Sequence, residues 1–178
     1  MKKSIVLSKL DAAKRQLETV IRFYFSNGDP VSIHTLTAAA YNVIHDVNEK
    51  RCGTPMLVKD QIIDHVKPEY QKMFRDKLNK AENFFKHADR DHKTTLDFNP
   101  DQSEILILDA CSQYYKLTGE FPPLFLIYRG WFMANDPNLF NLPEEQKRLF
   151  ATSVTPVLDL GRLGYFNMML PLVMGIRV

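Results

Sequence analysis

The chain has 178 residues, of which 45% are apolar and 25% charged, with a formal net charge of +2. This length suits one domain with a substantial core, and the composition excludes extensive disorder. The small total charge gives no argument for a nucleic-acid partner, although residues 1–95 hold 17 Lys and Arg against 12 Asp and Glu, and residues 96–178 hold 6 against 9.

The first predicted helix runs from about residue 8 to 25. Leu10, Ala13, Leu17, Val20, Ile21 and Tyr24 recur at helical spacing, Ser8 is a fitting N-cap, and Asp11 suits the positive end of the helix dipole. Turn residues 26–29 end it. Asp29 then caps a second helix with Pro30 at its first position, continuing to about residue 49. Its core stripe is Ile33, Leu36, Ala40, Ile44 and Val47, with His34, Ala38, Tyr41 and His45 alongside. His34 and His45 stand eleven residues apart, or about 16 Å along a helix, too far to share a metal.

A loop over 50–55 leads to a short helix over about 58–66. Pro68 opens a helix expected to carry Tyr70, Met73, Phe74, Leu78, Ala81 and Phe85 on one side and to end in the stretch 80–92. Residues 94–98 fit a short extended piece. From Asn99 or Asp101 to Gly119 the pattern is apolar almost all round, which places that helix at the centre of a bundle. Further helices are expected over 124–133, with Trp131, and from about 142 to 151. The apolar tail 152–178 is interrupted by Gly and Pro and would pack on the bundle or against a second copy. The pattern predicts one all-α domain over 1–178: a bundle of four or more core helices over about 8–118, extended by apolar helices over about 121–178.

Cys52 and Cys111 show no metal-ligand or redox spacing, which points to a reduced, cytoplasmic protein. No signal peptide is expected, and the uncharged stretch 163–176 falls short of the roughly 20 residues that span a bilayer. No cofactor is implied. The apolar second half points to homodimerisation.

The richest concentration of potential chemistry is 80–92, with His87, Asn83 and Lys80 at its centre. A histidine is the usual general acid or base near neutral pH. Asn83 can donate to a phosphate oxygen, and Lys80 and Lys86 can offset phosphate charge. Arg90, Asp89 and His45 complete the expected substrate-binding set. Asn83-Phe-Phe-Lys-His87 is similar to the Arg-Asn-x-x-x-His type of motif in HEPN-domain proteins, small helical bundles that include metal-independent ribonucleases and often act as dimers. The resemblance implies that Asn83 and His87 face RNA and that His87 moves a proton as the 2′-hydroxyl attacks. The family's arginine would stand at position 82, which here is Glu82, with Lys80 the nearest upstream base.

Across its length the chain also looks like a group of uncharacterised bacterial proteins, which suggests a bacterial origin. The alternative to an RNA-cleaving protein is a non-catalytic interaction module whose histidines serve the bundle. A more distant reading starts from His45-Asp46, similar to the doublet of HD-domain phosphohydrolases and implying a divalent metal, with His34, His87, Asp89, Asp91 and His92 as further candidates. The additional spaced histidines of that family are not recognisable, so no metal ligands are assigned.

Overall fold

The computed structural model describes residues 4–89, 92–135, 137–141, 143–153 and 155–175. Among them the regular structure is entirely helical, as the periodicity predicts. Helix α1 (Lys9–Phe25) starts at a capping box. The Ser8 hydroxyl accepts from the Asp11 N–H, and the Asp11 carboxylate accepts from the Ser8 N–H. Its inner face is Ala13, Leu17, Val20, Ile21, Tyr24 and Phe25. Helix α2 (Pro30–Lys50) starts where Asp29 accepts the Ser32 N–H at 2.8 Å. It packs along α1 on one side and against α6 (Gln102–Thr118) on the other. Gly119, at φ +73°, closes α6 in the left-handed region that suits glycine.

Between α2 and α6 lie α3 (Ile62–Asp64), α4 (Pro68–Leu78) and α5 (Lys80–Lys86). A π-helical turn, Leu57–Gln61, leads into α3, so the short helix expected over 58–66 is split in type. The long helix expected from Pro68 is also two pieces, hinged at Asn79, which is at once the C-cap of α4 and the N-cap of α5. The bend changes what is buried. Tyr70 and Met73 stay about half exposed, α4 buries no side chain fully, and of the predicted inner set only Ala81 is fully inside. Residues 94–98 form a loop, not a strand.

Helix α7 (Pro123–Asn135) joins the core, followed by a 3-10 turn (Pro137–Leu139), α8 (Glu144–Ser153), α9 (Thr155–Leu158) and α10 (Gly161–Met174). The tail therefore packs back on the bundle. Tyr165 is buried against Phe25 and Trp131, and its hydroxyl donates to the Ile127 carbonyl at 3.2 Å. A Cβ at Gly130 would come within 2.7 Å of that hydroxyl, so glycine lets α10 approach α7. Glu104 of α6 ties this layer together: it accepts from Tyr24 and Arg162, each at 3.0 Å, while Trp131 donates to the Tyr24 oxygen at 3.1 Å. No helix among the described residues is long and apolar enough to cross a membrane.

The segment after α2 is fixed by side chains of α6. Asp109 is buried, and its two oxygens accept the Leu57 N–H (3.2 Å), the Val58 N–H (3.0 Å) and the Tyr41 hydroxyl (2.6 Å). The Tyr41 oxygen in turn accepts the Lys59 N–H at 3.3 Å. Burial first, then the charge of Asp109, hold the Tyr41 hydroxyl well above its ordinary pKa, so it remains a donor. Gln113 donates to Asn48 at 2.6 Å, and both donate to the Thr54 carbonyl. Replacing Asp109 with Ala strands three donors, two of them buried. We expect a loss of about 3–5 kcal/mol in urea unfolding, against about 1–2 kcal/mol for Tyr41→Phe. Equal, sub-kilocalorie effects of the two substitutions would show that Asp109 does not hold the turn.

Candidate functional site

Asn83 and Phe84 stand three and four residues after Lys80, so α5 presents the three on one side, and His87 follows just past its end. The helix ends at Lys86. His87 is its C-cap, in extended conformation (φ −131°, ψ 136°), and its N–H still donates to the Asn83 carbonyl at 3.0 Å. Past His87 the chain folds over, so that Asp89 and residues 94–96 face α5. Together with Asp76 of α4 they enclose an open cleft of about 890 Å³ lined by Lys80, Asn83, Phe84 and His87. Lys80, Asn83, His87 and Asp89 are all exposed. Asp76 is engaged by Lys72 at 2.8 Å, and among the described residues Lys80 is the cation on this wall.

Behind the cleft, α5 is tied to α2. Glu82, largely buried, accepts from Asn42 at 2.5 Å and from Lys86 at 2.7 Å, and Lys59 donates to Oδ1 of the Asn42 side chain. Glu82, Asn42 and Lys59 also line a small enclosed cavity of about 70 Å³ with His34, Tyr41 and Gln102. His34 is buried, with its Nδ1 2.9 Å from the Ser103 hydroxyl and its ring edge-on to Phe85 and Phe98. Its Nε2 has no hydrogen-bond partner among the described residues.

Among the described residues, the structure thus gathers Lys80, Asn83, His87 and Asp89 and leaves out Lys86 and His45. Lys86 turns away to Glu82 and does not line the cleft. His45 faces Asp60, with Nε2 3.0 Å from Oδ1, and lines a separate cavity of about 240 Å³. The reason is spacing: His45 stands on the last turns of α2, beside the π turn, whereas α5 meets α2 further back at Asn42. Arg90 and Asp91 lie outside the described residues. His34 and His92 do not line the cleft with His87. The residues that sequence reasoning missed are Asp109, Asp60 and Glu82. Asp109 had a signal, being the lone charge in the apolar run 105–111.

In comparisons with known proteins, no family model, no curated protein and no solved structure matches the chain.

Burial is the main cause that holds the His34 imidazole below its ordinary value of 6.5; the Glu82 charge opposes the shift and Lys86 adds to it. The native state therefore keeps His34 neutral where the unfolded chain takes up a proton. Stability is full above pH 6.5 and falls as pH drops from there toward the lowered native value, by at most about 1.4 kcal/mol per pH unit. Urea unfolding across this range should show the slope in the wild type and a shallower one in His34→Gln. An unchanged slope in the variant would assign the loss to other groups.

Proposed function

We propose that this chain is an HEPN-like, RNA-binding protein that cleaves RNA without a metal, with the cleft along α5 as its site. The observation that carries this reading is the meeting of an ammonium, an amide and an imidazole (Lys80, Asn83 and His87) on the wall of one open cleft. An RNA phosphodiester is the substrate class such a set suits. His87 takes the 2′-hydroxyl proton as the 2′-oxygen bonds to phosphorus, and the bond from phosphorus to the 5′-oxygen breaks. The leaving oxygen takes a proton from water or from the imidazolium, and the products are a 2′,3′-cyclic phosphate and a 5′-hydroxyl. Asn83 and Lys80 hydrogen-bond and neutralise the non-bridging oxygens, whose charge grows in the transition state. Phe84, partly buried beside them, offers a ring on which a base can stack.

A second reading, a non-catalytic interaction module, is favoured by the carboxylates. Glu82 stands where the HEPN motif has arginine and is used as an anchor, while Asp76 and Asp89 line the cleft. Cleavage of a mixed RNA pool by wild type and His87→Ala, each with and without EDTA, separates the readings. The ribonuclease reading expects cleavage that survives EDTA and falls by about 100-fold or more in His87→Ala. A folded wild type that leaves the RNA intact under all conditions would leave the interaction module standing.

We further propose a homodimer. On α10, Leu163, Met168, Leu172 and Met174 remain between 38% and 65% exposed although the same helix packs on α7. Light scattering after size exclusion should give twice the 20.6 kDa chain mass, and Leu172→Asp should shift it toward the monomer. A wild type that stays monomeric at high concentration counts against the dimer.

A further inference from the structure

The last turns of α2 carry a second group of side chains that the cleft does not use. One ligand atom each from His45, Asp46 and Glu49 lies within 4.8 Å of the others. The His45 Nδ1 is 3.9 Å from Asp46 Oδ1 and 4.0 Å from Glu49 Oε2. The opposite ring nitrogen, Nε2, is 3.0 Å from Asp60 Oδ1.

Asp60 belongs to the π turn rather than to α2, and its other oxygen accepts the Met56 N–H at 2.7 Å. It is fixed in place independently of the ligand group. An ionised carboxylate only accepts, so the proton between His45 and Asp60 sits on Nε2. In the neutral imidazole this leaves the lone pair on Nδ1, the nitrogen that faces Asp46 and Glu49. A carboxylate that holds the far nitrogen of a histidine is how proteins orient a ligating imidazole and raise its basicity.

The local field points the same way. Asp46 and Glu49 lie near the C-terminal end of a 21-residue helix. There the dipole disfavours carboxylates and favours a cation. Asp60 adds a third negative charge to the same ring. Among the described residues, neither Asp46 nor Glu49 has a Lys or Arg within ion-pair distance; His45 is the group beside them.

We propose that His45, through Nδ1, together with Asp46 and Glu49 binds one divalent transition-metal ion of the Zn²⁺ or Mn²⁺ type, with Asp60 as the positioning residue. One imidazole and two carboxylates suit such ions, whereas Mg²⁺ and Ca²⁺ prefer oxygen alone. Metal bonds of about 2.1 Å place neighbouring ligand atoms roughly 3.0–3.4 Å apart. Asp46 and Glu49, whose side chains are 78% and 66% exposed, swing inward to meet that spacing. Three protein ligands leave the remaining positions to water. His45 and Glu49 also line a cavity of about 240 Å³ with Asp60, Arg75 and Lys59, the last of which donates to the Asn42 side chain. This site is separate from the cleft on α5, and the inference does not rest on the RNA reading.

The test is titration of the metal-free full chain with Co²⁺, followed by visible absorption, and with Zn²⁺, followed by calorimetry. The wild type should take up one ion per chain. His45→Ala should abolish uptake, and Glu49→Gln should weaken it at least about ten-fold; Asp60→Asn should weaken it by about 10–100-fold. Cys52→Ser, which removes the exposed thiol, should bind as the wild type does. Circular dichroism checks each variant, and the exposed Glu49 keeps the test decisive should Asp60→Asn fail to fold. No uptake by the wild type, or equal uptake by His45→Ala, overturns the proposal.

Discussion

One buried carboxylate sets the geometry of both candidate sites. The first four N–H groups of a helical segment have no partner within it, and after α2 the chain starts such a segment against the core. All four are met by side chains: Asp60 takes Met56, Asp109 takes Leu57 and Val58, and Tyr41 takes Lys59. Tyr41 can do so because its own proton is committed to Asp109. The turn is therefore capped mainly from outside, by α6 and α2. Two lines of contact leave it. Lys59 reaches Asn42, Asn42 reaches Glu82, and Glu82 holds Lys86, which seats α5 with its Lys80 and Asn83, and His87 just past its end. Asp60 reaches His45 and fixes which nitrogen is free.

The cleft sits on a sparsely packed part of the fold. The helices α1, α2, α6 and α7 share the aromatic and aliphatic core, with Phe25, Tyr41, Tyr128 and Ile107 fully inside. Helix α4 buries no side chain fully, and α5 buries only Ala81 fully. Segments with few buried apolar contacts open at lower free energy than the core does. The cleft wall is thus held by the polar ties of Glu82 together with a few apolar contacts, Ala81 and the Phe85 ring among them. That suits a surface that must admit a ligand, and it makes the wall sensitive to changes at Asn42 or Glu82 that leave the core untouched.

Where periodicity and caps act locally, the sequence is legible. The Ser8 box, the Asp29-Pro30 start, the glycine stop after α6 and the inner stripes of α1 and α2 all follow from residues within one or two turns of one another. The placing of Lys80 and Asn83 on one side of a helix is legible for the same reason. What sequence alone leaves open is tertiary. The break at Asn79 carries no Gly or Pro, and its two flanking helices satisfy the periodic pattern as one. Asp109 reads as a stray charge until the N–H groups some fifty residues earlier are placed against it. Whether His45 comes near His87 is likewise open in the sequence, because it depends on α5 meeting α2 at Asn42 and not at its end.

Glu82 shows how one position can be claimed by structure against chemistry. An arginine there would add the cation that the HEPN motif uses, yet the site at 82 is already ringed by Lys59, Lys86 and the Asn42 amide. A third cation in that largely buried place would face two others without a counter-charge, at a cost that burial raises. A carboxylate instead neutralises Lys86 and anchors the helix. Among the described residues, the positive charge on the cleft side of the same helix is Lys80, two residues earlier. Fold and site thus share α5 by dividing its faces: Glu82 holds the helix to α2, and the side opposite is left free for a ligand.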